Sequence, residues 1–352
     1  MNLKRVTIKN FRNITFTSLG VENSNLIISG RNMSGKTNTL NAIFWAFTGR
    51  TMDGSADNRA NISNNSDVQL TAVDLAFDNF TFTRECKLEN GDIVNTIYID
   101  GEEAKTIKAG EAMLHAKLGL TDLILTSPKD FNIIMFLLNP LYFETVSPSS
   151  LRKFFYMLSN TDFDSIAEQQ NKSIIEMLKN HDITDPYKLG DEISKEKKSV
   201  KKIIEGCKVA KTLFPDIEEQ ATKEEKKQNK RLKEIEIEDA LASRYALAVS
   251  KRINAYYKKA MGIEVCLLEK GIGEDVFKDV CYPILPKSKL PFDKGSFAEK
   301  TFVGVKFIVE VCMTYNIKPL PLLIDNMESL DETTTKYLND LNALYIGARV
   351  EE

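Results

Sequence analysis

Apolar and polar positions along this chain change period several times, and each change marks an element. Residues 2 to 9 alternate with the two-residue period of a half-buried strand, and Phe16 to Leu19 offers a partner for it. Leu26 to Ser29 is a short apolar run. It is followed by apolar residues at helical spacing (Leu40, Ile43, Phe44, Phe47), which predict a helix over Asn38 to Gly49. Asp53 to Asn65 is rich in Gly, Ser, Asp and Asn and reads as a loop. Val68 to Phe77, Phe80 to Leu88 and Val94 to Ile99 predict a small antiparallel lobe, closed by a turn at Asp100-Gly101.

Residues 122 to 160 are mainly apolar, broken at Asn139-Pro140. From about Asp162 the chain becomes strongly charged. Lys188 to Leu213 and Ile217 to Lys259 carry apolar residues at helical spacing, and Phe214-Pro215-Asp216 separates them. Two readings stand: an antiparallel coiled-coil-like hairpin, or an ordinary helical subdomain. In either case the arm is short, about 40 Å for ~25 residues. Strand patterning returns at Glu264 to Glu269 and Val276 to Leu285. A helix follows over Gly295 to Tyr315, then a buried parallel strand at Leu320 to Ile324, a helix at Thr333 to Leu341 and a last strand at Leu344 to Val350. The expectation is an α/β chain in which residues 1–160 and 263–352 are two halves of one head, flanking a helical insert at 161–262.

Composition narrows the function classes. Lys and Arg (47) nearly cancel Asp and Glu (50) in the 352 residues, so no global positive field draws in nucleic acid, and DNA contact would need a local patch. The five cysteines are scattered without a C-x-x-C pair, as in a reduced cytosolic protein, and no zinc hook is readable. No signal-peptide core and no membrane-length apolar run is present, which points to a cytoplasmic protein without membrane contact.

The candidate chemistry lies between the first buried strand and its helix. Gly30, Gly35, Lys36 and Thr37 fit G-x-x-x-x-G-K-[ST], the phosphate-binding loop. Glycines let the backbone turn its N–H groups toward phosphate oxygens, and the helix N-terminus adds its dipole. Lys36 would reach the β- and γ-phosphates, and Thr37 would hold Mg²⁺. Arg31, Asn32, Ser34 and Asn38 complete the candidate nucleotide contacts. Such a loop needs a carboxylate for the Mg²⁺, and Leu322-Leu323-Ile324-Asp325 is an apolar strand ending in Asp. Among the arginines, Arg12, Arg31 and Arg84 are candidate phosphate contacts.

With these motifs the chain resembles the SMC/RecF/RecN-like branch of ABC-type ATPases. Ile8-Lys9-Asn10-Phe11-Arg12-Asn13 is similar to the family's opening, and Asn41 to Gly49 to its first helix. Two ATPase halves flank a helical insert, and Ser329-Leu330-Asp331 looks like the D-loop. The strand end Ile324-Asp325-Asn326-Met327-Glu328-Ser329 most resembles the compact RecF-like ATPases of bacteriophages. The resemblance implies an ABC-type head with a mixed or parallel core sheet. It also implies ATP and Mg²⁺ as ligands, and a role in DNA repair, recombination or replication. Two heads would close on ATP, with Ser296, Glu299 and Asp331 meeting the nucleotide held by the other copy. DNA and a nuclease or recombination protein are the implied partners.

The chain departs from the family pattern in four places. Asn326 stands where the catalytic glutamate normally follows the aspartate, and an amide cannot take a proton from water. Glu328 could take over that role if the turn brings it round. Otherwise the protein is a slow ATPase using nucleotide as a switch to grip a protein partner. Gly295-Ser296-Phe297-Ala298-Glu299 keeps an S-x-x-E capping box but lacks the two signature glycines. No switch histidine follows the last strand. The Q-loop glutamine has only Asn139 as a weak substitute. A small-molecule kinase, a transporter ATPase and a nuclease fit the sequence less well.

Overall fold

A computed structural model describes residues 2–21, 25–56, 58, 70–270, 277–341 and 344–350. The chain divides into two compact units. One comprises Met1–Leu158, Ala260–Glu264 and Tyr282–Glu352, and the other comprises Ser159–Lys259 and Val265–Cys281.

In the first unit, β1 (Leu3–Phe11) and β2 (Ile14–Gly20) form a hairpin, and β3 (Leu26–Gly30) leads into α1 (Lys36–Thr48). Next come β4 (Leu70–Phe77), β5 (Thr81–Glu89), β6 (Asp92–Ile99) and the two-residue β7 (Glu102–Glu103). The lobe expected from three strand runs is larger than its own sequence suggests. β1 pairs antiparallel with β4, Val6 opposite Leu75 and Ile8 opposite Val73, so the first hairpin joins a six-stranded sheet ordered β2-β1-β4-β5-β6-β7. Val6, Ile8, Val73 and Leu75 are fully buried, because alternation puts them on one face of that sheet.

Four helices follow: α2 (Ile107–Lys117), α3 (Thr121–Thr126), α4 (Ile133–Leu138) and α5 (Pro148–Leu158). The second unit holds α6 (Phe163–Glu168), α7 (Lys172–His181), α8 (Pro186–Leu213) and most of α9 (Glu218–Met261). β8 (Glu264–Lys270) and β9 (Phe277–Ile284) pair with each other. The chain then forms α10 (Phe297–Thr314), β10 (Leu322–Ile324), α11 (Glu332–Asp340) and β11 (Tyr345–Val350). β10, β11 and β3 make a three-stranded parallel sheet in that order, with Leu323 beside Ile346 and Gly347 beside Ile27. Residues near both ends of the sequence thus lie side by side, and the ends of β3 and β10 open at the same edge.

Apolar burial fixes this arrangement. Leu40, Ile43, Phe44, Trp45 and Phe47 of α1 are at most 1% exposed, so the helix is enclosed on every side. Residues 131–155 pack onto α10 through aromatic rings. Phe131 stacks on Phe154 at 4.3 Å, and Phe307 meets Phe143 edge-on at 5.2 Å and stacks on Phe155 at 5.4 Å. In the second unit α8 and α9 run antiparallel, linked by Glu196–Arg231 at 2.8 Å, Lys197–Asp239 at 2.7 Å and Lys211–Glu225. Their inward faces bury Ile193, Val200, Ile204 and Ile235. Among the described residues, no helix is long and apolar enough to cross a membrane.

Candidate functional site

The turn between β3 and α1 carries the site. Gly35 sits at φ +94° just before α1, a conformation that side chains rarely adopt. With the chain bent there, the first helical residue is Lys36, 8% exposed. Its Nζ donates to Gly30 O at 2.7 Å and Arg31 O at 2.6 Å, with Ser34 Oγ at the long distance of 3.5 Å. An ammonium has three donors. Two are firmly held by the loop's own carbonyls, which fixes the cation in place and leaves the third for an incoming anion.

Thr37 Oγ1 donates to Asp325 Oδ2 at 2.8 Å, across 288 residues of sequence. The contact exists because β11 lies between β3 and β10 in the parallel sheet and brings both strand ends to one edge. A hydroxyl and a carboxylate are hard oxygen donors, the set that suits Mg²⁺. The donors present therefore fit the metal that the sequence implies. A cavity of about 400 Å³ opens here, lined among others by Asn13, Ser34, Lys36, Thr37, Asp325 and Glu328. Glu328 lies in a short 3-10 turn, Met327–Ser329, and its Oε2 accepts from Val350 N at 3.2 Å. Asn326 also lines the cavity and takes φ +51°. That left-handed residue reverses the chain after β10 and turns Glu328 toward the cavity.

The remaining candidates divide. Asn32, Gly35 and Asn38 line the cavity, whereas Gly30 and Arg31 act through their carbonyls on Lys36, and the Arg31 side chain is exposed. Arg12 Nη1 donates to Asn38 Oδ1 at 3.2 Å and so braces the start of α1. Arg84 is not a phosphate contact. It is 3% exposed beneath the far end of α1, where Nε donates to Ala46 O at 3.0 Å and Nη2 pairs with Glu111 at 2.7 Å. Burial lowers its pKa, and the Glu111 pair opposes that shift.

The start of α10 keeps half of the expected capping box. Ser296 Oγ accepts from Glu299 N at 3.3 Å, but the Glu299 carboxylate does not return to Ser296. Its Oε1 accepts from Ser288 N at 2.8 Å, because the preceding loop presents that donor. Asp331 caps α11 through Thr334 N at 2.8 Å, and the hydrogen bonds from Thr334 lower its pKa. Asn139, the Q-loop candidate, does not line the cavity. Its Oδ1 accepts from Leu141 N at 2.9 Å, which turns it into its own loop and away from the cavity lining.

Two residues of the site were not singled out from sequence. Asn13 Oδ1 accepts from Asn38 Nδ2 at 2.7 Å, so the β1–β2 turn is tied to the loop's helix. Met33 occupies φ +65° inside the loop and is 97% exposed. Asn13 belongs to the same Asn-Phe-Arg-Asn stretch as Arg12, but no spacing rule connects that stretch to residue 38.

A family model described as an AAA domain matches residues 5–243. The chain belongs to this family. In fold and in part of its sequence it is similar to SMC heads and to RecF. The DNA replication and repair protein RecF of Shewanella frigidimarina is 36% identical over 112 residues, which is 30% of this chain and 29% of that protein. The match therefore spans under a third of that relative's length. The solved Smc head bound to the C-terminal winged-helix domain of ScpA is 15% identical, with a TM-score of 0.50 over 100% of this chain and 90% of that one. That likeness concerns the fold. The RecF–ATP structure of the RecFOR pathway is 15% identical with a TM-score of 0.45, covering 99% of this chain and 93% of that one. The family match includes the phosphate loop but stops short of Asp325, which meets that loop through its contact with Thr37.

Proposed function

We propose that this ATPase binds ATP with Mg²⁺ in the cavity at the end of β3, hydrolyses it, and acts on DNA in repair, recombination or replication. The observation that carries the reading is the 2.8 Å contact between Thr37 and Asp325 beside the anchored Lys36. The loop's backbone N–H groups and Lys36 would take the β- and γ-phosphates. Thr37 and Asp325 would hold Mg²⁺, which offsets phosphate charge when bound. Glu328 would take the proton of the attacking water. One carboxylate oxygen is held by Val350 N, and the other has no partner among the described residues. The reading extends to a homodimer that closes when ATP binds, with Ser296 and Asp331 of each copy near the nucleotide of the other. A nuclease or recombination protein is the further partner it implies.

Asn326 favours a second reading, a slow ATPase that uses ATP as a switch to grip a protein partner. Steady-state turnover with and without single- and double-stranded DNA, alongside Glu328→Gln, separates the two. The expected result is turnover that rises with DNA and falls about 100-fold in the variant, the scale of a lost general base. ATP binding without turnover under any condition would replace the first reading with the second.

A further inference from the structure

Gly347 stands inside β11, the central strand of the parallel sheet, between Ile324 of β10 and Ile27 of β3. Glycine weakens a strand interior, so its presence there calls for a reason. Backbone conformation does not supply one, because Gly347 is not among the residues at positive φ. Space does. A Cβ on Gly347 would lie 2.6 Å from Met327 Cγ and 2.7 Å from Met327 Sδ. The Met327 side chain thus rests where any other residue of β11 would project its own.

β10 ends at Ile324, opposite Gly347, and the turn Met327–Ser329 meets β11 beyond that point. Ala348 and Val350 line the cavity, so strand alternation puts the Gly347 position on the opposite face of the sheet. The turn therefore grips β11 twice, with Met327 behind the sheet and Glu328 Oε2 on Val350 N at 3.2 Å. Its own bonds are few. Ser329 N donates to Asn326 O at 2.9 Å, and Leu330 N to Met327 O at 3.2 Å. Asn326, Glu328 and Ser329 are exposed, whereas Met327 is partly covered. A single 3-10 turn has too few hydrogen bonds to hold a position alone.

We propose that Met327 is the positioning residue for Glu328. Its side chain, seated in the notch left by Gly347, keeps the turn on β11 and directs the carboxylate oxygen that Val350 does not hold toward the cavity. A flexible, unbranched thioether suits such an irregular gap. The inference rests on the reading of Glu328 as the group that takes the proton of the attacking water. With that carboxylate two residues beyond Asn326, the strand end no longer fixes it directly, and a second attachment does so instead.

Two readouts test this, the first without nucleotide. In the full chain alone, Met327→Ala and Gly347→Ala should each speed amide hydrogen exchange at Leu330 and Val350 about 10-fold, as the turn opens locally. Met327→Leu, close in volume, should not. With ATP and Mg²⁺, single-turnover hydrolysis by Met327→Ala should slow about 10–100-fold, the scale of a misplaced group, with ATP affinity and circular dichroism unchanged. Met327→Ala should add nothing in a Glu328→Gln background, and Gly347→Ala should add nothing in a Met327→Ala background, because each pair acts as one unit. Unchanged exchange in Met327→Ala overturns the proposal whatever the chemistry. So does a rate that falls only together with ATP affinity, or one that falls further in Glu328→Gln. Altered exchange with a normal rate in Glu328→Gln, or a wild type that hydrolyses no ATP in a single turnover, would instead overturn the reading of Glu328 and this role with it.

Discussion

The phosphate loop and the start of α10 both place polar groups at a helix N-terminus, yet they use them differently. In the loop, Lys36 is fixed by two carbonyls and keeps a donor in hand, and Thr37 and Asp325 meet at the cavity wall. At α10 the polar groups are consumed. Ser296 caps its own helix, and Glu299 is drawn to Ser288. A helix N-terminus becomes a binding site when its donors are held without being satisfied. It is only a cap when the chain's own side chains satisfy them.

Substitutions can break or sharpen that contrast. Lys36→Ala should have the largest effect, a loss of ATP affinity of about 100-fold or more, since a charge-assisted hydrogen bond and its electrostatics vanish together. Calorimetric titration checks it, and unchanged affinity would remove the loop from the site. Asp325→Ala should lower Mg²⁺-dependent turnover about 100-fold while ATP still binds, the cost of removing one preorganised group. Turnover against Mg²⁺ concentration reads this directly, and full activity would mean that the Thr37 contact is structural.

Ser296→Ala should act on stability, by about 1 kcal/mol, as loss of an N-cap does. Thermal melts and ATP titration together decide the matter. A large loss of turnover at unchanged stability would put Ser296 with the loop rather than with the caps. The smallest effect is expected at Thr301, one turn into α10. It is 1% exposed, and its hydroxyl has no partner among the described residues. Thr301→Val removes that burial cost and should raise stability by up to about 1 kcal/mol. A destabilised variant would show that the hydroxyl is engaged.

Much of this architecture was legible before folding is considered. The helix after the loop, predicted over Asn38 to Gly49, forms at Lys36–Thr48, and the arm predicted as Lys188 to Leu213 and Ile217 to Lys259 forms at Pro186–Leu213 and Glu218–Met261. Periodicity, Pro215 and the glycines are local signals, so they read correctly. The six-stranded sheet was not legible, because alternation shows that Val6 and Ile8 share a face but not that β4 will face them. Arg84 was misplaced for a similar reason. Nothing in its neighbours announces Glu111 or the Ala46 carbonyl as its destination.

The sequence by itself determined the loop, its helix and an apolar strand ending in aspartate, since each is written in consecutive residues whose backbone and period carry the information. Only the tertiary structure decided which groups meet. The parallel sheet set Asp325 against Thr37, the β1–β2 turn brought Asn13 to Asn38, and Ser288 diverted Glu299 from its cap. Those outcomes depend on hydrogen bonds and packing between distant segments, which residue spacing along the chain does not encode.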